Sequence, residues 1–363
     1  MKKFLSFVLA CAIMVTAFAG CSSTSGSSSK SGSSASSAAS NSVDPASYLK
    51  GKSIRVVIGS TSVSGDTYLT ADLLCRMINK KYGSKLKVDA IGAGRALQEI
   101  VKAKNENTIM MFHDMTYFGV LFGAYDESKY KLENMTVGGS YGYNPGDCFA
   151  ASASAPYKTI KEMGEWMSKN PTKQVKLAVE AGGVSQIGFD AIYMWLKETY
   201  GDKTAGNLKA YVTGSTQAKL QALWDGNCQG IYAPASVVEE YTKDGVKKQL
   251  KVNIIGLMAD KRLDGHDWPT FKEQGITLNG KPFSFTKEYF VFYGKKVPSE
   301  FVSAMNAAMK EVCNSSEYKT AIEKLGYKAQ YKSSSEADTY IKQKRETYRE
   351  IIKSAPDFNK LVG

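Results

Sequence analysis

Hydrophobic positions along this chain alternate between two periods, and the alternation predicts strands and helices in turn. Ile54, Val56, Val57 and Ile58 crowd one short run, which reads as a buried strand over 53–58. After a Ser/Thr/Gly loop, Leu69, Leu73, Leu74, Met77 and Ile78 recur at helical spacing up to Tyr82-Gly83. Strands over 86–90 and 108–113 follow, with helices over 96–105 and 116–123. This β-α-β-α-β order predicts a parallel sheet with right-handed crossovers. The pattern then restarts. Phe149-Ala150 reads as a crossing strand, and 175–179, 208–212, 230–233 and 252–258 as further strands. Helices are expected over 160–169, 185–200, 215–225 and 237–243. A last strand over 289–293 precedes helices over 300–314, 316–325 and 337–353. The fold class is therefore α/β, with two sheets and a helical tail.

Ahead of this region lies a different pattern. Lys2 and Lys3 precede an apolar run from Phe4 to Phe18, which closes on Ala19-Gly20-Cys21. A charged start, a short apolar stretch and small residues describe a signal peptide over 1–20. The run is shorter than the ~20 residues a membrane span needs. Cysteine directly after the small residues resembles a bacterial lipobox, with Phe18 where Leu is commoner. The resemblance implies cleavage before Cys21 and a diacylglyceryl group on its sulfur. From Ser22 to Ser42 the chain is mostly Ser with Gly, Ala, Thr, Asn and Lys30, too polar to bury a core. Residues 21–43 are thus read as a flexible linker with a reach of roughly 25 Å, holding the folded part outside the membrane on a lipid anchor.

Charge and cysteines change the picture only a little. The remainder is too long for one ordinary core and suggests two lobes. The formal net charge is +12. The exported location argues against nucleic acid, leaving an anionic surface beside the anchor or an anionic ligand drawn in by the field. Much of the excess sits on solvated faces such as 341–353. Cys75, Cys148, Cys228 and Cys313 remain beyond the leader, widely spaced and with no CxxC, so their pairing stays open. His113 and His266 are the only histidines, and neither has a second ligand at zinc-like spacing; no metal and no cofactor are expected.

In open α/β sheets a ligand lies beyond the carboxyl ends of the strands. Two such ends carry small hydroxyl and glycine residues leading straight into a helix: 59–67 (Gly-Ser-Thr-Ser-Val-Ser-Gly-Asp-Thr) and 181–186 (Ala-Gly-Gly-Val-Ser-Gln). Residues 212–216 (Val-Thr-Gly-Ser-Thr) repeat the arrangement. Each is ordinary helix capping taken alone. Three together, with amides and helix N-termini converging, suit a carboxylate or phosphate.

At these residues the chain resembles the solute-binding receptors of tripartite tricarboxylate transporters (the Bug receptors), over roughly 51–353. The first strand and loop up to Gly65-Asp66-Thr67 carry the resemblance, as do Ile91-Gly92-Ala93-Gly94 and Ser154-Ala155-Pro156. So do Tyr211-Val212-Thr213-Gly214-Ser215, Leu223-Trp224-Asp225-Gly226 and Arg262 with Trp268-Pro269-Thr270 and Glu273-Gln274-Gly275. The first loop departs from the family in lacking its Pro and glycine run. The second has Ile187-Gly188 where the family commonly has histidine.

The resemblance implies a two-lobed periplasmic-binding-protein fold, type II-like, with the ligand cleft between lobes. Lobe 1 would comprise 44–147 and 262–363, and lobe 2 148–261. A small carboxylate would be held by Ser60, Thr61, Ser62, Ser64, Gly65 and Asp66 of the first lobe. Gly183, Ser185 and Gln186 of the second would face them, with Gly214 and Ser215 nearby. Asp66 is expected to cap its helix. Closure on the ligand would present both lobes to a membrane permease of the tripartite type. Tyr117, Tyr141, Tyr143 and Tyr232 are candidate cleft aromatics, with core or surface placement the plainer reading of each. Two other functions fit less well. A sensor on the same fold, signalling to a membrane kinase, has no distinguishing residue. A lipid-anchored hydrolase would use Ser185, but GxSxxG is not the GxSxG elbow.

Overall fold

The computed structural model describes residues 43–363; the leader, Cys21 and the Ser-rich linker lie outside the described residues. Among the described residues, twelve strands form two five-stranded mixed sheets and one small hairpin. In chain order they are β1 (Ser53–Ile58), β2 (Lys85–Ala90), β3 (Thr108–His113), β4 (Met135–Asn144), β5 (Asp147–Ser152), β6 (Val175–Val179), β7 (Leu208–Val212), β8 (Gly230–Pro234), β9 (Val252–Leu257), β10 (Thr277–Leu278), β11 (Lys281–Pro282) and β12 (Lys287–Gly294). The first sheet runs β2-β1-β3-β12-β4 and the second β7-β6-β8-β5-β9.

Within each sheet the early strands are parallel, as the β-α-β order requires: β1 lies between β2 and β3, and β6 between β7 and β8. The expectation of wholly parallel sheets fails at one place in each. β12 is inserted antiparallel between β3 and β4, and β5 antiparallel between β8 and β9. Both strands arrive from the other lobe, so no crossover helix sets their direction. Their amino ends therefore sit beside the carboxyl ends of the parallel strands, with Tyr289 opposite His113 and Asp147 opposite Pro234. That inversion delivers side chains to the cleft which no loop motif announces.

The pattern reading missed β4. Its centre, Val137-Gly138-Gly139-Ser140, has two glycines, and a Cβ on Gly139 would lie 2.8 Å from the Lys332 carbonyl oxygen. Close approach of another backbone, rather than side-chain packing, is what keeps apolar periodicity out of this strand. The helix expected over 237–243 breaks into a turn of α-helix, Ala235–Val238, followed by a 3₁₀ turn, Glu239–Tyr241.

The chain passes between the sheets at Pro145-Gly146 and again between β9 and β12. The second passage is long, and its early part packs on the second sheet. Phe271 meets Phe149 with ring centroids 5.9 Å apart, and the Gln274 side chain accepts from Lys161 N–H and donates to the Ile255 carbonyl. Residues 270–278, given to the first lobe by the sequence reading, thus pack against the second. The last helix, Ser334–Ile352, lies on β4. It is pinned by Lys344, which pairs with Asp114 at 2.8 Å and Glu288 at 2.7 Å. The tail then returns to the second sheet. Gly363 N–H donates to the Ala210 carbonyl at 3.1 Å, and Phe358 packs edge-on against Phe189.

Candidate functional site

A cavity of about 260 Å³ lies between the sheets, at the carboxyl ends of β1, β3, β6 and β8. Its floor includes Ser60, Thr61, Ser62, Ser64, Gly65 and Asp66 from the first loop, and Ser185, Gly214 and Ser215 from the second lobe. Nine of the eleven residues expected at the ligand are thereby brought around one space. Gly183 and Gln186 are not among its walls. The Gln186 side chain turns back to accept from Gly182 N–H at 2.7 Å, which shapes the loop from beneath.

The first loop is braced by its own serines. Ser60 Oγ accepts from Ser62 N–H at 3.0 Å, and Ser62 Oγ from Ser64 N–H at 3.2 Å. These side chains substitute for water on a turn that bridges strand to helix, and they consume two of the amides expected to face the ligand. Gly92 holds φ +85, and its N–H donates to the Ser60 carbonyl at 3.2 Å. On the opposite wall Ser215 caps its helix by accepting from Ala218 N–H at 3.2 Å. Ser185 Oγ is held twice by the Glu180 backbone, accepting its N–H at 2.8 Å and donating to its carbonyl at 3.1 Å. A hydroxyl engaged in this way braces the loop.

Asp66 does not cap its helix; the N-cap is Gly65, with no side-chain bond. Its carboxylate instead pairs with Lys287 and accepts from the Tyr289 hydroxyl at 2.8 Å. Lys287, the first residue of β12, also reaches Asp147, the first residue of β5, at 3.3 Å. One buried ammonium thus ties the first-lobe helix to the strand that enters the second lobe. Burial alone would raise the Asp66 carboxyl, but Lys287 beside it holds it well below the usual carboxylate range. The Asp147 carboxyl is pushed up by burial, with Lys287 opposing. Lys287 approaches Asp66 more closely than Asp147, and one Asp147 oxygen has no hydrogen-bond partner among the described residues.

Two further charged groups line the cavity and were absent from the sequence reading. Lys219, in the helix Thr216–Trp224, is 3% exposed and has no ion pair or hydrogen bond among the described residues. Its ammonium stands 5.2 Å from the Tyr232 ring centroid. Burial lowers its pKa, and the charge that most opposes this is Glu180, which follows β6. Glu180 is raised in turn by burial, with Lys219 the first charge to oppose it. A lysine in the second turn of a helix sits at the positive end of the dipole, so it gains nothing there from the helix itself. That misplacement was the sequence signal available for Lys219.

His113 completes the polar wall. Its Nδ1 accepts from Met115 N–H at 3.2 Å, so a neutral ring carries its proton on Nε2. Burial and the nearby Lys287 push its pKa down to about 4. Phe112, Met115, Tyr125, Val184 and Tyr232 supply the apolar part of the lining. Of the four tyrosines considered from sequence, only Tyr232 reaches the cavity. Tyr117 donates to Asp114 and Tyr141 lies in the first lobe's core. Tyr143 lines a separate groove with Pro145 and Gly146.

No protein-family profile matches the chain, and no curated protein matches it in sequence. Solved structures do match in shape. The periplasmic binding protein BugD aligns with TM-score 0.68 at 18% identity, covering 83% of this chain and 97% of its own. MatC from Rhodopseudomonas palustris, solved with bound malate, gives 0.68 at 18%, covering 83% and 99%. An R. palustris protein solved with adipate gives 0.69 at 14%, covering 83% and 96%. Two mixed sheets, a cleft at their facing ends and these matches together give the chain the two-lobed fold of periplasmic solute-binding proteins.

Proposed function

We propose that this chain is an extracytoplasmic receptor whose lobes close on a small solute bearing a carboxylate. One observation carries the reading: Lys219 is a buried residue on the wall of the cavity, with no ion pair or hydrogen bond among the described residues. Removing an ammonium from water costs several kcal/mol unless an anion meets it. A ligand carboxylate supplies that anion. The helix beginning at Asp66 would add its amino-terminal field from the opposite lobe. A cavity of about 260 Å³ is smaller than drug-sized sites of ~300–1,000 Å³, which favours a compact solute. Neighbours of the same fold were solved with malate and with adipate, ligands of that description.

The order of motifs places the chain, in our reading, with the receptors of tripartite tricarboxylate transporters. Closure would then offer both lobes to a membrane permease, and Cys21 would carry the lipid that keeps the receptor beside it. Ligand that bridges both lobes favours the closed state because only that state makes both sets of contacts. Hydrolysis is a weaker reading, because Ser185 spends its hydroxyl on the Glu180 backbone.

A thermal-shift and calorimetry screen of carboxylates tests the reading. A binder at 100 times its Kd adds roughly 2.7 kcal/mol of stability. Lys219→Met is expected to weaken that binder by about 2–5 kcal/mol while leaving the unliganded protein folded. Ester hydrolysis lost in Ser185→Ala, with no binding by any carboxylate, would replace the receptor with an enzyme.

A further inference from the structure

Glu180 and Lys219 present an unusual pair. Each is the charge that most opposes the effect of burial on the other, and both line the same cavity. Yet no ion pair joins them, while Lys287 and Asp66, on the same cavity's wall, do pair. The Glu180 backbone is held by Ser185, whose Oγ bonds both its N–H and its carbonyl. The Lys219 backbone belongs to a capped helix. Two opposite charges thus line one cavity without pairing.

The charge balance of the cavity points the same way. Lys287 is already shared by Asp66 and Asp147, and His113, with its pKa pushed down to about 4, is neutral at pH 7. What remains is one cation, Lys219, and one carboxyl, Glu180. A dicarboxylate entering here would set one of its groups against Glu180. A ligand carrying both signs would satisfy both residues and add no net charge to a buried site.

We propose, resting on the receptor reading, that the solute is a zwitterion of the α-amino acid class: its carboxylate meets Lys219 and its ammonium meets Glu180. The apolar lining from Phe112, Met115, Tyr125 and Val184 takes the remainder of the molecule. Glu180 thus sets specificity, selecting ligands with an amine over isosteric acids that lack one. A site built to bond a polar group rejects the analogue lacking it far more sharply than an apolar pocket rejects a missing methylene.

The test pairs each amino acid with its 2-hydroxy acid, which keeps the skeleton and replaces the ammonium: alanine with lactate, aspartate with malate, leucine with 2-hydroxyisocaproate. Calorimetry on the full chain should show at least one amino acid binding on the order of 30-fold or more tighter than its hydroxy acid. Glu180→Gln should erase most of that preference by weakening the amino acid alone, whereas Lys219→Met should weaken both members. Thermal unfolding of each unliganded variant checks that it folds. A hydroxy acid that binds as tightly as its amino acid, with Glu180→Gln without effect, overturns the zwitterion and leaves the receptor standing. Absence of binding throughout both series overturns the zwitterion, and absence across the whole carboxylate screen overturns the receptor with it.

Discussion

Replacing Lys287 with methionine tests whether the buried ion cluster holds the lobes in register. Lys287 is 4% exposed and Asp147 1%, and Asp66 is the first residue of the first-lobe helix. Methionine fills much of the same volume but leaves two carboxylates facing each other with no cation. Breaking a buried pair from one side costs about 3–5 kcal/mol. Against a whole-protein stability of ~5–15 kcal/mol that is a large fraction. The pH dependence identifies the cause. In the wild type Lys287 depresses the Asp66 carboxyl, so its stabilisation is present above its unfolded pKa and is lost as pH falls through the folded value. In the variant burial raises both carboxyls instead, so the folded form binds protons more readily than the unfolded chain. The variant's deficit is therefore greatest at pH 7 and shrinks as pH falls towards about 4. Urea unfolding at both pH values, followed by tryptophan fluorescence, measures it. A deficit below about 1 kcal/mol at pH 7, or one unchanged at pH 4, would refute the reasoning. Adding Asp66→Asn to the variant should recover part of the loss.

Three further outcomes follow from buried groups. Asp190 is fully buried with both carboxyl oxygens unpartnered among the described residues, and burial pushes its pKa well up. Its native-state preference for the proton is a stability cost that grows as pH rises, so Asp190→Asn should stabilise the fold by about 1–3 kcal/mol at pH 8, with the gain gone below pH ~4; a loss at pH 8 would contradict this. His113 falls from 6.5 to about 4 on folding, so the wild type should lose on the order of 3 kcal/mol between those pH values, and His113→Asn should flatten that slope in acid titrations of stability. Cys75, Cys148, Cys228 and Cys313 are free and buried. Burial pushes the Cys228 thiol up to about 12. A thiol reagent should therefore find these four only after denaturation, and fast labelling of the native protein would exclude their burial.

Sequence alone determined the alternation of elements, because burial on one face or both leaves a local period that survives without knowledge of neighbours. It also placed the three hydroxyl-rich loops, since strand-to-helix turns demand small and capping residues at fixed offsets. Nine of the eleven proposed contacts reach the cavity for that reason. The charged groups were decided elsewhere. Lys287 enters the cleft, and Asp147 meets it, only because β12 and β5 are inserted antiparallel, a choice of pairing made between lobes. Glu180 and Lys219 line one cavity only because β6 ends, and the helix Thr216–Trp224 begins, at the same wall. Even β4 stayed hidden, its glycines being selected by the backbone that lies against them. A period is written in one segment, whereas a charge acquires its meaning from the partners that folding places around it, and those partners lie up to hundreds of residues away.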